Sequence, residues 1–263
     1  MKANREKKGD GESKQGEKED DPVDIFVTME YDFGCELVAD VNSALSSIKK
    51  IIYGSGVLTP EALKTAAQLL KGVVPVKWEK KFEGAEKPMA YVTSVVSKTA
   101  ALASWKKKSS KGDLLQDCLD LCHLFRPGTF LEAWRQQSAR LQSCSMDDLV
   151  LESSWDARKM SGGMKNSLPI MVEGLLLQGA VFDSDSLSEP AANAKELVSV
   201  PPVTLAFVNG KGKETSSKHN RGIYVPIYYN LNREKMLTEV HVPCAEGEQG
   251  LWILSGTAFM LQE

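Results

Sequence analysis

Histidine, paired cysteine, surplus positive charge and long apolar runs are all scarce in this chain of 263 residues. Its only histidines are His123, His219 and His241, and no local signature joins one to a serine or cysteine nucleophile. No stretch reaches the roughly 20 apolar residues of a membrane span. The first twenty-one residues, MKANREKKGDGESKQGEKEDD, lack the apolar middle of a signal peptide. Five cysteines (Cys35, Cys118, Cys122, Cys144, Cys244) are an odd number, which suits free thiols filling a core in a reducing, cytoplasmic setting. A net charge of −3 and a pI near 5.8 argue against nucleic acid or an anionic membrane as partner, since both reward a basic surface.

Phosphate-binding glycine loops are also missing. Asn209-Gly210-Lys211-Gly212-Lys213 lacks the spacing of G-x-x-x-x-G-K-[ST] and falls between strands, where it reads as a loop. Gly54-Ser55-Gly56 ends a helix and is not a nucleophile elbow. The best metal candidates are Cys118, Cys122 and His123: read as helical, the two thiols stand one turn apart and could face one point. A closed zinc site needs a second close pair, and none follows, so core-filling thiols are the favoured reading. Catalytic, cofactor-binding and metal-ligating residues are accordingly assigned to none. An enzyme with a non-standard site around Cys118, Cys122 and His123 stands as the rival.

What is present is an ordinary globular composition, 42% apolar and 25% charged. Residues 1–21 carry six basic and seven acidic side chains with no Val, Ile, Leu or aromatic residue, and read as a disordered charged leader. From Pro22, apolar residues recur at Phe26, Met29, Phe33, Leu37, Val41, Leu45, Ile48 and Ile52, the stripe of one long helix that Gly54-Ser55-Gly56 stops. Thr59-Pro60 opens a second helix and Gly72 closes it. Pro88 opens a third, with Met89, Val92, Val95, Leu102 and Trp105. Leu114, Leu115, Cys118, Leu119 and Cys122 read as a fourth. Pro127 ends it, and Thr129 caps a fifth carrying Phe130, Leu131, Trp134 and Leu141.

Beyond Asp148 the period changes to two. Leu149, Leu151, Ser153 and Trp155 alternate with polar or outward residues, and short runs follow at 168–180, 203–208, 222–229, 237–243 and 251–261. About six strands without intervening helices suggest a small antiparallel β-barrel. The expected class is α+β, with residues 22–146 helical and 147–263 forming the barrel.

Several segments resemble, in order, the C-terminal domain of dynein heavy chains. They are Leu124–Arg140 (LFRPGTFLEAWRQQSAR), Val74–Trp78, Trp155–Asp183 with its GLLLQG core, Val225–Tyr229, Arg233-Glu234, and Val242–Cys244 with Trp252 and Gly256. Glu132 and Trp134 depart from the asparagine and leucine common there. Within the family, the ending Val242–Leu261 is similar to the cytoplasmic branch that serves intraflagellar transport. The resemblance implies a non-catalytic domain lying on a ring of six AAA+ modules and modulating retrograde movement in cilia. Its partners would be that ring and other dynein subunits, with microtubules engaged only indirectly, and no cofactor, nucleic acid or membrane. A dynein heavy chain is very much longer, so a fragment, a split subunit and a paralogue reduced to one domain all remain open. Trp78, Trp105, Phe130, Leu131, Trp134, Leu175, Leu177, Tyr228 and Trp252 are expected to be packing residues.

Overall fold

The computed structural model describes residues 21–156, 167–190, 195–210, 222–244 and 249–261. Residues 1–20 of the leader, 157–166 of the strand tract, and the loop residues 211–220 with His219 lie outside the described residues.

Three long helices and one short one build the first layer. Helix α1 spans Pro22–Ile52, α2 Pro60–Leu70, α3 Val76–Glu79 and α4 Pro88–Ser109. Proline occupies the first turn of α1, α2 and α4, where its missing N–H and preset φ cost nothing. The Thr59 hydroxyl accepts from Ala62 N–H at 3.2 Å, and Gly54 and Gly72 take positive φ just beyond α1 and α2. The buried stripe of α1 is Val23, Phe26, Val27, Glu30, Gly34, Leu37 and Val41. This corrects the expected stripe: Met29, Leu45 and Ile52 are exposed, and the buried face admits a glutamate and a glycine instead. Gly34 is where α1 crosses α4; a Cβ there would stand 2.7 Å from Thr99 Oγ1.

The expected fourth helix is not one. Leu114–Gln116 and Leu121–His123 are single 3-10 turns on either side of a strand, β1 (Cys118–Asp120). That strand pairs in parallel with β3 (Ile170–Glu173), and the Asp120 carboxylate accepts from Cys122 N–H at 2.9 Å to start the second turn. Strand pairing with residues fifty positions away overrides the local helical period. Helix α5 (Pro127–Gln142) follows. Pro127 opens this helix rather than ending the previous element, and Thr129 lies inside its first turn rather than capping it.

The second layer is one mixed sheet. Its strands, besides β1 and β3, are β2 (Leu149–Ser154), β4 (Leu175–Gln178), β7 (Leu197–Ser199), β8 (Val203–Asn209), β9 (Gly222–Tyr228), β10 (Met236–Pro243) and β11 (Ala258–Leu261). Their order is β1-β3-β8-β2-β10-β9-β11-β4-β7, and β5 (Ala180–Asp183) with β6 (Ser186–Pro190) forms a separate hairpin. The single residue Gly174, at φ +76°, joins β3 near one end of this order to β4 near the other, so the sheet must roll. The end strands β1 and β7 do not pair, however, and the roll is not closed. The expectation of a six-stranded antiparallel barrel is thus corrected to an open nine-stranded mixed sheet. Two glycines account for part of the miscount: Gly174 and Gly179, both at positive φ, cut one apolar run into β3, β4 and β5. The last run is also divided, with helix α6 (Gln249–Leu254) preceding β11.

Six α-helices in all occur among the described residues, none of them long and apolar enough to cross a membrane. One continuous core joins the layers, running from Val27 and Leu102 through Trp134 to Phe207, Val225 and Phe259.

Candidate functional site

Two of the segments that carry the sequence resemblance, Leu124–Arg140 and Val225–Tyr229, meet at the start of α5. Gly128 N–H donates to the Tyr229 hydroxyl at 3.1 Å, joining the first turn of α5 to the end of β9. A Cβ at Gly128 would stand 2.7 Å from that hydroxyl, so glycine is what lets the tyrosine approach. Two residues earlier, the carboxylate of Glu30 accepts from Arg126 at three points: backbone N–H at 2.7 Å, Nε at 2.9 Å and Nη2 at 2.8 Å. Glu30 is fully buried, while the Arg126 side chain is about half exposed and lies over the Phe33 ring. The guanidinium Nε and Nη2 converge on Oε2 while the backbone N–H takes Oε1, which pairs the buried charge and also satisfies an orphan N–H at the mouth of α5. Glu30 was not picked out from the sequence. Its signal is a charged residue at a position that the 3–4 spacing of Phe26, Val27, Leu37 and Val41 requires to be buried.

Around this seam the expected packing residues take their places. Trp78, Trp105, Phe130, Leu131, Trp134, Leu175, Leu177 and Trp252 are all buried. Trp134 Nε1 donates to the Leu168 carbonyl at 2.9 Å and its ring lies 4.5 Å from Phe207, so one side chain bridges helix and sheet. Tyr228 differs: it is only partly buried and stands beneath the Arg233 guanidinium, 5.8 Å from its ring centre. Arg233, held at positive φ, donates to Gln178 Oε1 and to the Gly256 carbonyl, both at 2.6 Å, tying the β9–β10 turn to β4 and to the turn before β11. Lys235 reaches back to Glu83 at 2.5 Å, a further, exposed link between the layers.

The metal candidates do not form the arrangement their spacing suggested. With Cys118 on β1 and Cys122 in a 3-10 turn, the helical premise for two thiols facing one point is lost. Burial and the neighbouring Glu173 carboxylate, which bonds the thiol, push the Cys118 pKa up and favour the neutral form. His123 lies 3.9 Å from Asp120 and is only partly buried. Among the described residues, no group of three or more His, Cys, Asp or Glu side chains converges as a metal site would. A cleft of about 450 Å³ opens between the N-terminus of α1, the end of α4 and β3, with Val23, Leu114, Ile170 and Met171 on its floor and Asp21 and Asp24 beside them.

Buried aromatic anchors, a paired internal charge and backbone-directed hydrogen bonds define a module whose two layers are clamped together. The protein belongs to the family formed by the C-terminal domain of dynein heavy chains, whose family model matches residues 2–261. It is 37% identical over 243 residues to cytoplasmic dynein 2 heavy chain 1 of Tripneustes gratilla, covering 92% of this sequence and 5% of that one. It is 34% identical over 250 residues to the mouse (Mus musculus) protein of the same name, covering 95% and 6%. The Chlamydomonas reinhardtii protein matches at 33% over 249 residues, 91% of this sequence and 6% of that one. The chain thus spans about a twentieth of the length of these relatives.

Proposed function

We propose that this domain is a non-catalytic part of a dynein motor of the cytoplasmic dynein 2 kind, seated on the AAA+ ring and modulating its output during retrograde ciliary transport. The observation that carries the reading is the seam. Gly128–Tyr229 binds α5 to the sheet and Glu30–Arg126 binds α1 to the start of α5, both joints at the segment Leu124–Arg140 that resembles the family. A body braced in this way can transmit a displacement from one face to another, because packed interiors deform little. The similarity to dynein 2 heavy chains supports the ciliary assignment and the dynein complex as partner.

In this reading ATP turnover and microtubule binding belong to other parts of the motor. The purified protein should unfold cooperatively, hydrolyse no ATP and remain in the supernatant when microtubules are sedimented. Added to a dynein 2 ring fragment lacking its own C-terminal domain, it should change the microtubule-stimulated ATPase rate. Turnover by the protein alone, or an unaltered ring in its presence, would overturn the proposal.

A further inference from the structure

The last third of α1 leaves the core. Val41 is its final buried residue, and the eleven residues after it, with the connecting loop and α2, project as a helical hairpin in which only Thr65 is buried. An arm made only to cap the domain would carry polar residues outward. This one does not. Leu63, Ala67 and Leu70, at i, i+4 and i+7, form a stripe along α2, with Leu63 56% and Leu70 89% exposed. Ile52 and Tyr53, each 75% exposed, and Val57, 84% exposed, extend it around the tip. Helix α2 therefore has two apolar sides: one packs on α1 and the other has no partner within the described residues.

The charges around this stripe are mostly positive. Lys49, Lys50, Lys64 and Lys71 are exposed on the hairpin, against a single acid, Glu61, which is bound to Lys77 at 2.7 Å. The protein as a whole is acidic, so the basic rim is a local feature. An apolar centre with a cationic rim complements an apolar stripe flanked by carboxylates, the outline of an acidic amphipathic helix. Another exposed apolar group, Leu251, Ile253 and Leu254, sits on a helix of only six residues that holds no charged side chain of its own.

We infer that the α1–α2 hairpin is the surface through which this domain engages the remainder of its heavy chain, by receiving an acid-flanked amphipathic helix against Leu63, Leu70 and Val57. In the relatives about nineteen-twentieths of the heavy chain lies outside the matched region, so a motor of this kind has a covering segment to offer. The inference rests on the proposed function and names the surface it uses.

The test takes the full 263-residue protein and, as probe, the ring portion of the Tripneustes gratilla dynein 2 heavy chain without its C-terminal domain. The wild-type protein is expected to bind, and Leu63→Asp with Leu70→Asp to weaken binding at least tenfold while leaving the unfolding midpoint unchanged. Lys64→Glu with Lys71→Glu should weaken it severalfold and flatten its salt dependence. Ile253→Asp with Leu254→Asp on α6 should bind as wild type. Normal binding by the hairpin variants would overturn the hairpin assignment and leave the proposed function standing. Failure of the wild-type protein to bind the ring would overturn both. A homodimer that forms without the probe and is dissolved by the hairpin substitutions would identify a second copy as the occupant, and would also overturn the inference.

Discussion

The Gly128 amide and the Tyr229 hydroxyl, 3.1 Å apart, come from positions 101 residues apart in sequence and fasten α5 to the sheet. Their fit is steric as well as polar, because no Cβ could stand at residue 128 while the hydroxyl is there.

Gly128→Ala should therefore destabilise the domain by about 1–3 kcal/mol through overpacking, and Tyr229→Phe by about 1 kcal/mol through the lost hydrogen bond. The double variant should cost less than the sum, since removing the hydroxyl makes room for the new methyl. Urea unfolding of the four proteins measures the coupling; strict additivity would show that the two residues do not meet in solution.

The Glu30–Arg126 pair predicts an asymmetry. Arg126→Ala leaves a fully buried carboxylate without its guanidinium, at a cost of about 3–5 kcal/mol by analogy with broken buried pairs. Glu30→Gln should cost less, because the half-exposed Arg126 can turn to water and the amide oxygen can still accept from the backbone. Equal losses in chemical denaturation would contradict the burial difference.

Gly34→Ala places a methyl into the α1–α4 crossing, 2.7 Å from Thr99 Oγ1 and 3.0 Å from the Phe125 ring. Helix propensity alone would favour alanine by roughly 1 kcal/mol. The clash should reverse that sign. A raised thermal midpoint for the variant would mean that the helices separate without cost.

His241 gives the fold an acid sensitivity. Its ring is half-buried on β10, edge-on to Tyr224 at 5.3 Å, and burial lowers its pKa while the Glu152 carboxylate opposes that shift. The unfolded protein takes up this proton near pH 6.5, about the ordinary imidazole value; the folded protein does so only at lower pH. Stability should thus be insensitive to this group above about pH 6.5 and decline as the pH falls below it. His241→Asn should flatten that part of the profile in urea titrations between about pH 7 and 5, and an unchanged slope would remove His241 as the cause.

Local signals in the sequence determined where many elements begin and end. Pro22, Thr59-Pro60 and Pro88 start helices, Gly54 and Gly72 stop them, and the alternation of Leu149, Val150 and Leu151 makes β2, because caps, prolines and side-chain period act over only a few residues. The ordered segments around Leu124–Arg140 and Val225–Trp252 likewise carried the family.

Tertiary structure decided what each segment meets. Cys118–Asp120 has a helical spacing and becomes a strand because Met171–Glu173 pairs with it; Glu30 enters the core because Arg126 arrives there; Leu63 and Leu70 stay outside because the core ends at Val41. The two recognition segments prove to be partners in one joint, a relation that spacing in the sequence does not encode. Periodicity reports which residues favour burial, whereas the partner that covers them, or fails to, is set by contacts between positions tens to a hundred residues apart.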